Sequence, residues 1–126
     1  MKRDLKLFLQ DILEASQHIV QFVEGFDYLK FQNDDKTTSA VIRKLEIIGE
    51  AVKHVPDAIK EKSPSIKWKA VAGMRDRLIH GYFGVDYSLV WDTTQRDIPK
   101  LIAEISQLLT DLQRDSASTN ESPSAQ

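Results

Sequence analysis

The sequence predicts an all-α fold, an antiparallel up-down bundle of four main helices, and three observations carry that expectation. Apolar residues recur at spacings of three and four through most of the chain, the mark of helices with one buried face. Gly and Pro number only 5 and 4 in 126 residues, too few for a sandwich of many short strands. The polar connections between the periodic stretches are short, as in a bundle of antiparallel neighbours.

The first helix is expected from Asp4 to Phe26. Leu5, Phe8, Leu9, Ile12, Ile19, Phe22, Val23 and Phe26 form its apolar stripe, with Lys6, Asp11, Glu14 and Gln17 on the other side. Gly25 weakens its end. The run Gln32 to Thr38 lacks periodicity and is rich in capping residues, so it reads as a connection leading to a new N-cap. The second helix follows, with Val41, Leu45, Ile48, Ala51, Val52 and Val55 inward, and Pro56 stops it. One short helical turn fits between Pro56 and Glu61. Ser63, Pro64 and Ser65 then break the chain, and a third helix is expected from about Lys67 until Gly81 and Gly84 weaken it. Asp86 is the expected N-cap of the fourth helix, whose apolar positions run from Val90 and Trp91 to Leu112. Pro99 should kink it, because a proline inside a helix removes one backbone donor and clashes with the preceding turn. Beyond Asp115 no apolar residue is larger than Ala, so ordering that tail costs entropy with little burial in return.

Composition narrows the chemistry. Hydrophobic residues make up 41% and charged residues 29% of the chain, a globular balance, and no window approaches the 18 consecutive apolar residues of a membrane span. The N-terminus interrupts its apolar run with charges, so neither a signal peptide nor a membrane span is expected, and a cytoplasmic location is the default. The absence of Cys removes disulfides, thiolate metal sites and thiol nucleophiles together. A net charge of −2 argues against a chain coated in base for nonspecific nucleic-acid binding, so any polyanion site must be local. His18, His54 and His80 are far apart and form no ligand motif; no metal site is expected, and no cofactor. There is no Walker-type loop, no dinucleotide fingerprint and no Gly-x-Ser-x-Gly elbow.

What remains is the stretch from Trp68 to Tyr87. Arg75, Asp76, His80 and Tyr82 fall within eight residues, beside inward-facing Val71, Met74 and Leu78. Arginine with histidine suits one task well. RNA can be cut with no enzyme nucleophile, because its 2′-hydroxyl attacks the adjacent phosphate once a base takes the proton and a cation stabilises the developing charge. Histidine is the base or acid, and arginine offers a fixed fork of donors to phosphate oxygens. On one regular helix, however, Arg75 and His80 would stand about 140° apart with a rise of roughly 7.5 Å. Unwinding towards Gly81, a wrapped Arg75 side chain, or a second copy across a dimer would each resolve that mismatch. Asp76, four residues before His80, is the expected orienting partner of the imidazole. Between Lys60 and His80 the basic residues Lys60, Lys62, Lys67, Lys69, Arg75 and Arg77 outnumber Glu61 and Asp76 in a chain that is acidic overall.

Each of these residues also has a plainer role. Arg75 suits a surface ion pair with Asp76 or Glu50, His80 a helix C-terminal cap, and Tyr82 a core position four residues after Leu78. Arg43 and Glu50 read as a structural ion pair, His18 and His54 as solvent-facing residues.

The segment Arg75-Asp76-Arg77-Leu78-Ile79-His80-Gly81-Tyr82 resembles the Arg-x4-His-x-Tyr motif of HEPN-domain ribonuclease toxins, specifically the HepT-like family encoded beside minimal nucleotidyltransferase antitoxins. The resemblance extends to Arg43 through Val52, to Trp68, to Val85-Asp86-Tyr87, to Val90-Trp91 and to Ile98-Pro99, covering roughly residues 4 to 112. It implies a HEPN-like helical domain, placed here at residues 1–114, and the composition of residues 115–126 reads as a disordered tail after it. It implies a homodimer that places both motif copies at one cleft and cuts RNA without a metal, with Arg75 and His80 catalytic and Asp76 supporting. It also implies that Tyr82 is where a cognate nucleotidyltransferase antitoxin adds AMP to silence the toxin. The alternatives are a noncatalytic helical module that binds a nucleotidyltransferase or a nucleotide, with Arg75 touching phosphate only, and a purely structural dimerisation bundle.

Overall fold

The computed structural model describes the backbone of residues 2–79 and 84–124 and the side chains of residues 5–79 and 84–115. Among the described residues the secondary structure is helical apart from one isolated bridge: α1 Lys2–Phe22, α2 Tyr28–Gln32, α3 Asp35–Lys53, α4 Asp57–Lys60, α5 Trp68–Ala72, α6 Met74–Leu78, α7 Tyr87–Asp92 and α8 Ile98–Ser124. The anticipated all-α bundle is what forms. Its four main helices correspond to α1, α3, the α5–α6 pair and the α7–α8 pair.

The core lies where α1 packs against both α3 and α8. Leu9, Ile12 and Ile19 of α1, Val41, Leu45 and Ile48 of α3, and Ile98, Ile105 and Leu108 of α8 are all fully buried, each from the apolar stripe of its helix. Local chemistry fixes several ends. Asp34 caps α3 by accepting from the Thr37 N–H at 3.0 Å, and Asp86 caps α7 by accepting from the Leu89 N–H at 3.1 Å. Helix α1 stops four residues short of the expected Phe26, because the chain turns at Gly25, whose φ of +78° a side chain would resist. Asp27 then caps α2, a helix the sequence pattern did not announce, through a 2.8 Å bond from the Lys30 N–H. The purpose of α2 is burial: Phe31 is fully enclosed, with its ring 5.3 Å from that of Trp91.

Near Pro99, where a kink was expected, the structure has a π-helical turn, Thr93–Asp97, immediately before α8. The Ile98 N–H reaches back five residues to the Thr93 carbonyl, and widening the helix there makes room for the proline ring against the preceding turn. The tail expected to be disordered, 115–126, lies almost wholly outside the described side chains; the backbone of α8 is helical to Ser124.

Two expectations are corrected. The third helix does not run unbroken from Lys67 to Gly81: it divides at Gly73 and ends at Leu78. Arg43 and Glu50 do not pair; Arg43 is exposed, and Glu50 sits 3.8 Å from Lys53 on the solvent side of α3. Of the two histidines expected at the surface, His54 is exposed with its ring 4.9 Å from that of Phe8, while His18 is half-buried beside Phe22.

Candidate active site

The charged segment sits on α6, and its neighbours decide where it points. Met74 and Leu78, one turn apart, are buried at 3% and 1% exposure, which turns Arg75, Asp76 and Arg77 outward. Two contacts hold the segment against the bundle. The buried indole of Trp68 donates from Nε1 to the carbonyls of Lys60 and Ser63, both at 3.2 Å, tying the start of α5 to the preceding loop. On the other side α3 approaches α5 so closely that a Cβ added at Gly49 would lie 3.1 Å from the Ala72 carbonyl oxygen. Glycine is required there by the approach of two backbones.

Helix α6 ends because its last carbonyl has another partner. In a continued helix the Leu78 carbonyl would accept from the residue four places on; instead it accepts from the Asp86 N–H at 2.9 Å. Ile79 has already turned extended, at φ −121° and ψ 112°, and pairs antiparallel with Val85. Both are β-branched and suit that conformation. Gly84 closes the return with φ +90°, a conformation a Cβ would strain. His80 and Tyr82 lie outside the described residues, in the stretch bracketed by this bridge. The bridge nevertheless removes the geometric objection raised above. The 140° separation of Arg75 and His80 assumed one continuous helix, and so did the spacing that paired Asp76 with His80; a helix ending at Leu78 imposes neither.

Arg75 is about half-exposed and held by two carboxylates. Its Nε lies 3.2 Å from Glu46 Oε2 on α3, and its Nη1 lies 3.4 Å from Asp76 Oδ1. The first bond fixes the guanidinium at its inner edge, so the terminal nitrogens are carried outward. Asp76 touches Arg75, and its expected partner His80 lies outside the described residues. Glu46 is the residue that sequence reasoning missed. The available signal was its place in the Arg43 to Val52 stretch, one helical turn before the glycine that lets α3 approach α5.

Of the expected basic cluster, Lys62 pairs with Asp115 at 3.3 Å, and Arg77 donates from Nη1 to the Ala70 carbonyl at 2.8 Å. A cleft of about 290 Å³ opens on the α8 side of α5 and α6, with Lys67, Arg77 and Lys100 at its rim. Among the described residues no three of His, Asp and Glu come together as metal ligands, and no helix is long and apolar enough to cross a membrane.

Comparison with known proteins shows the family. The model of a family described as Ribonuclease HepT-like matches residues 12–108. The chain is 50% identical over 112 residues to a protein of Methanocaldococcus jannaschii named "Putative RNase MJ0125", covering 89% of this chain and 97% of that one. It is 47% identical over 108 residues to "Probable ribonuclease HepT" of Thermococcus cleftensis, covering 86% and 98%. A third relative, "Putative RNase TTE0752" of Caldanaerobacter subterraneus, is 42% identical over 102 residues, covering 81% and 91%. No solved structure matches the chain.

Proposed function

The chain belongs to the ribonuclease HepT-like family, and from that premise we propose that it is a toxin endoribonuclease that cuts RNA as a homodimer without a metal. The observation that carries this reading is Arg75: an arginine turned outward by buried Met74 and Leu78, fixed at Nε by Glu46, and next to a stretch bearing His80 that the Ile79–Val85 bridge brackets. The relatives' names, which speak of ribonuclease, support it.

The chemistry follows from the residue types. His80 takes the proton from a substrate 2′-hydroxyl; O2′ bonds to phosphorus, the bond from phosphorus to O5′ breaks, and a proton is returned to O5′. Arg75 neutralises the charge gathering on the phosphate oxygens. The products are a 2′,3′-cyclic phosphate and a 5′-hydroxyl. Two copies of the motif meeting at a two-fold axis supply acid and base from separate protomers. A partner nucleotidyltransferase controls the site by transferring AMP from ATP to the Tyr82 phenol, with release of pyrophosphate. The added anion then repels the substrate phosphate and obstructs the approach to His80. The noncatalytic binding module is the reading to be separated from this one.

Purified chain should cut RNA, but not DNA, in the presence of chelator. His80→Ala or Arg75→Ala should each lower the rate by about 10²-fold or more. Cleavage that needs added metal, or that survives His80→Ala, overturns the mechanism. AMP found by peptide mass analysis on Tyr28 or Tyr87 alone after incubation with the partner and ATP overturns the control.

A further inference from the structure

Two residues after Arg75, the same short helix turns a second arginine to its opposite flank. Arg77 stands about 200° further round α6, towards α8 rather than α3. It edges the cleft of about 290 Å³, whose floor is apolar, formed by Val71 and Met74 from the α5–α6 side and Ile98 and Leu101 from α8. Lys67, Arg77 and Lys100 stand around this floor together with Asp97 and Glu104. Among the described residues none of these five charged side chains takes part in an ion pair, although both signs surround one opening.

A ligand that uses all of these features has a flat apolar body, a negative charge and hydrogen-bond donors. A nucleotide has all three. We infer that the cleft is a subsite for one unstacked nucleotide of the RNA strand, neighbouring the nucleotide at Arg75; the assignment rests on the ribonuclease reading above. One face of the base lies on the apolar floor, where half-buried Val71 and the exposed edges of Met74 and Leu101 offer contact. The phosphate meets Arg77, Lys100 and Lys67. Asp97 and Glu104 accept from an exocyclic amino group, so adenine, cytosine and guanine are favoured over uracil, which has none. The cleft is near the small end of ligand pockets and admits one nucleotide rather than a duplex. A helix with its side chains is about 10–12 Å across, so Arg75 and Arg77 on opposite flanks engage different phosphates of one strand.

The test uses decamers of 2′-O-methyl adenosine, cytidine or uridine, which cannot be cut because the 2′ oxygen is blocked. Their affinity for the full chain is followed by fluorescence anisotropy across a salt series, beside steady-state cleavage of unmodified RNA. Lys100→Ala should weaken binding about tenfold and reduce the slope of log affinity against log salt by about 0.7, as loss of one phosphate contact on a single strand requires. Arg77→Ala should do the same, with KM raised and kcat within about twofold of the parent. The double variant Asp97→Asn, Glu104→Gln should bind uridine and adenosine decamers alike. Should Arg77→Ala fold poorly on losing its bond to Ala70, Lys100→Ala alone decides. Unchanged affinity and salt slope in Lys100→Ala, while Arg75→Ala still abolishes cleavage, overturns the cleft and leaves the ribonuclease reading standing. Loss of decamer affinity in Lys100→Ala, in a chain that cuts no RNA, upholds the cleft and overturns the ribonuclease reading.

Discussion

The bundle of α1, α3 and α8 and the short pair α5 and α6 are built on opposite terms. The long helices bury continuous stripes, with Ile12, Ile48 and Ile105 each fully enclosed, so many weak contacts back one another up. The short pair has two helices of five residues each, divided at Gly73, and it turns Arg75, Asp76 and Arg77 to solvent. Helices of that length have no stability of their own. They persist because a few named contacts hold them: the Trp68 indole on two carbonyls, the approach of α3 at Gly49, and the bond from the Asp86 N–H to the Leu78 carbonyl. Arg75, Asp76 and Arg77 are thus carried on a segment too short to be stable alone, which buried Trp68, Met74 and Leu78 join to the core.

Substitutions should separate these two regimes. Ile48→Ala, in the middle of the bundle, leaves a cavity that three helices cannot collapse into, and should cost about 2–5 kcal/mol. Urea unfolding checks this; a loss below about 1 kcal/mol would mean that the core is looser than its burial implies. Gly49→Ala tests the seam between the regions, because the new methyl meets a backbone oxygen rather than a side chain able to rotate away. It should cost about 1–3 kcal/mol, and protection of the α5 and α6 amides from hydrogen exchange should fall more than that of α1. Equal protection in both would dissolve the distinction. The smallest effect on stability is expected at Glu46, a half-exposed partner in a surface ion pair worth at most about 1 kcal/mol. Its effect on catalysis should be larger than that. Glu46→Ala frees the guanidinium to wander and should lower kcat about tenfold, whereas Glu46→Gln retains an acceptor for Nε and should recover most of the rate. If both variants cut RNA at the parental rate, Glu46 holds structure only.

The amphipathic stripes, an N-cap within the run Gln32 to Thr38, the cap Asp86 and the stop at Pro56 were legible in the sequence. Each depends on residues within four or five positions of one another, and helix periodicity and capping act over that range. Helix α2 was harder to see, since five residues give too few apolar positions to establish a period. The candidate site divides the same way. Its residue types, and their resemblance to a known motif, stood in the sequence between Arg75 and Tyr82. The end of α6 at Leu78 did not, because the competing donor is Asp86, eight residues on, and only the Ile79–Val85 pairing brings it within reach. Nor did the partner of Arg75, since Glu46 lies 29 residues away and comes within 3.2 Å only where α3 and α5 meet at a glycine. The sequence by itself determined the helices and the chemistry available, through forces that act along a few residues of chain. Tertiary structure alone decided which charges meet, because that depends on how closely two backbones pack.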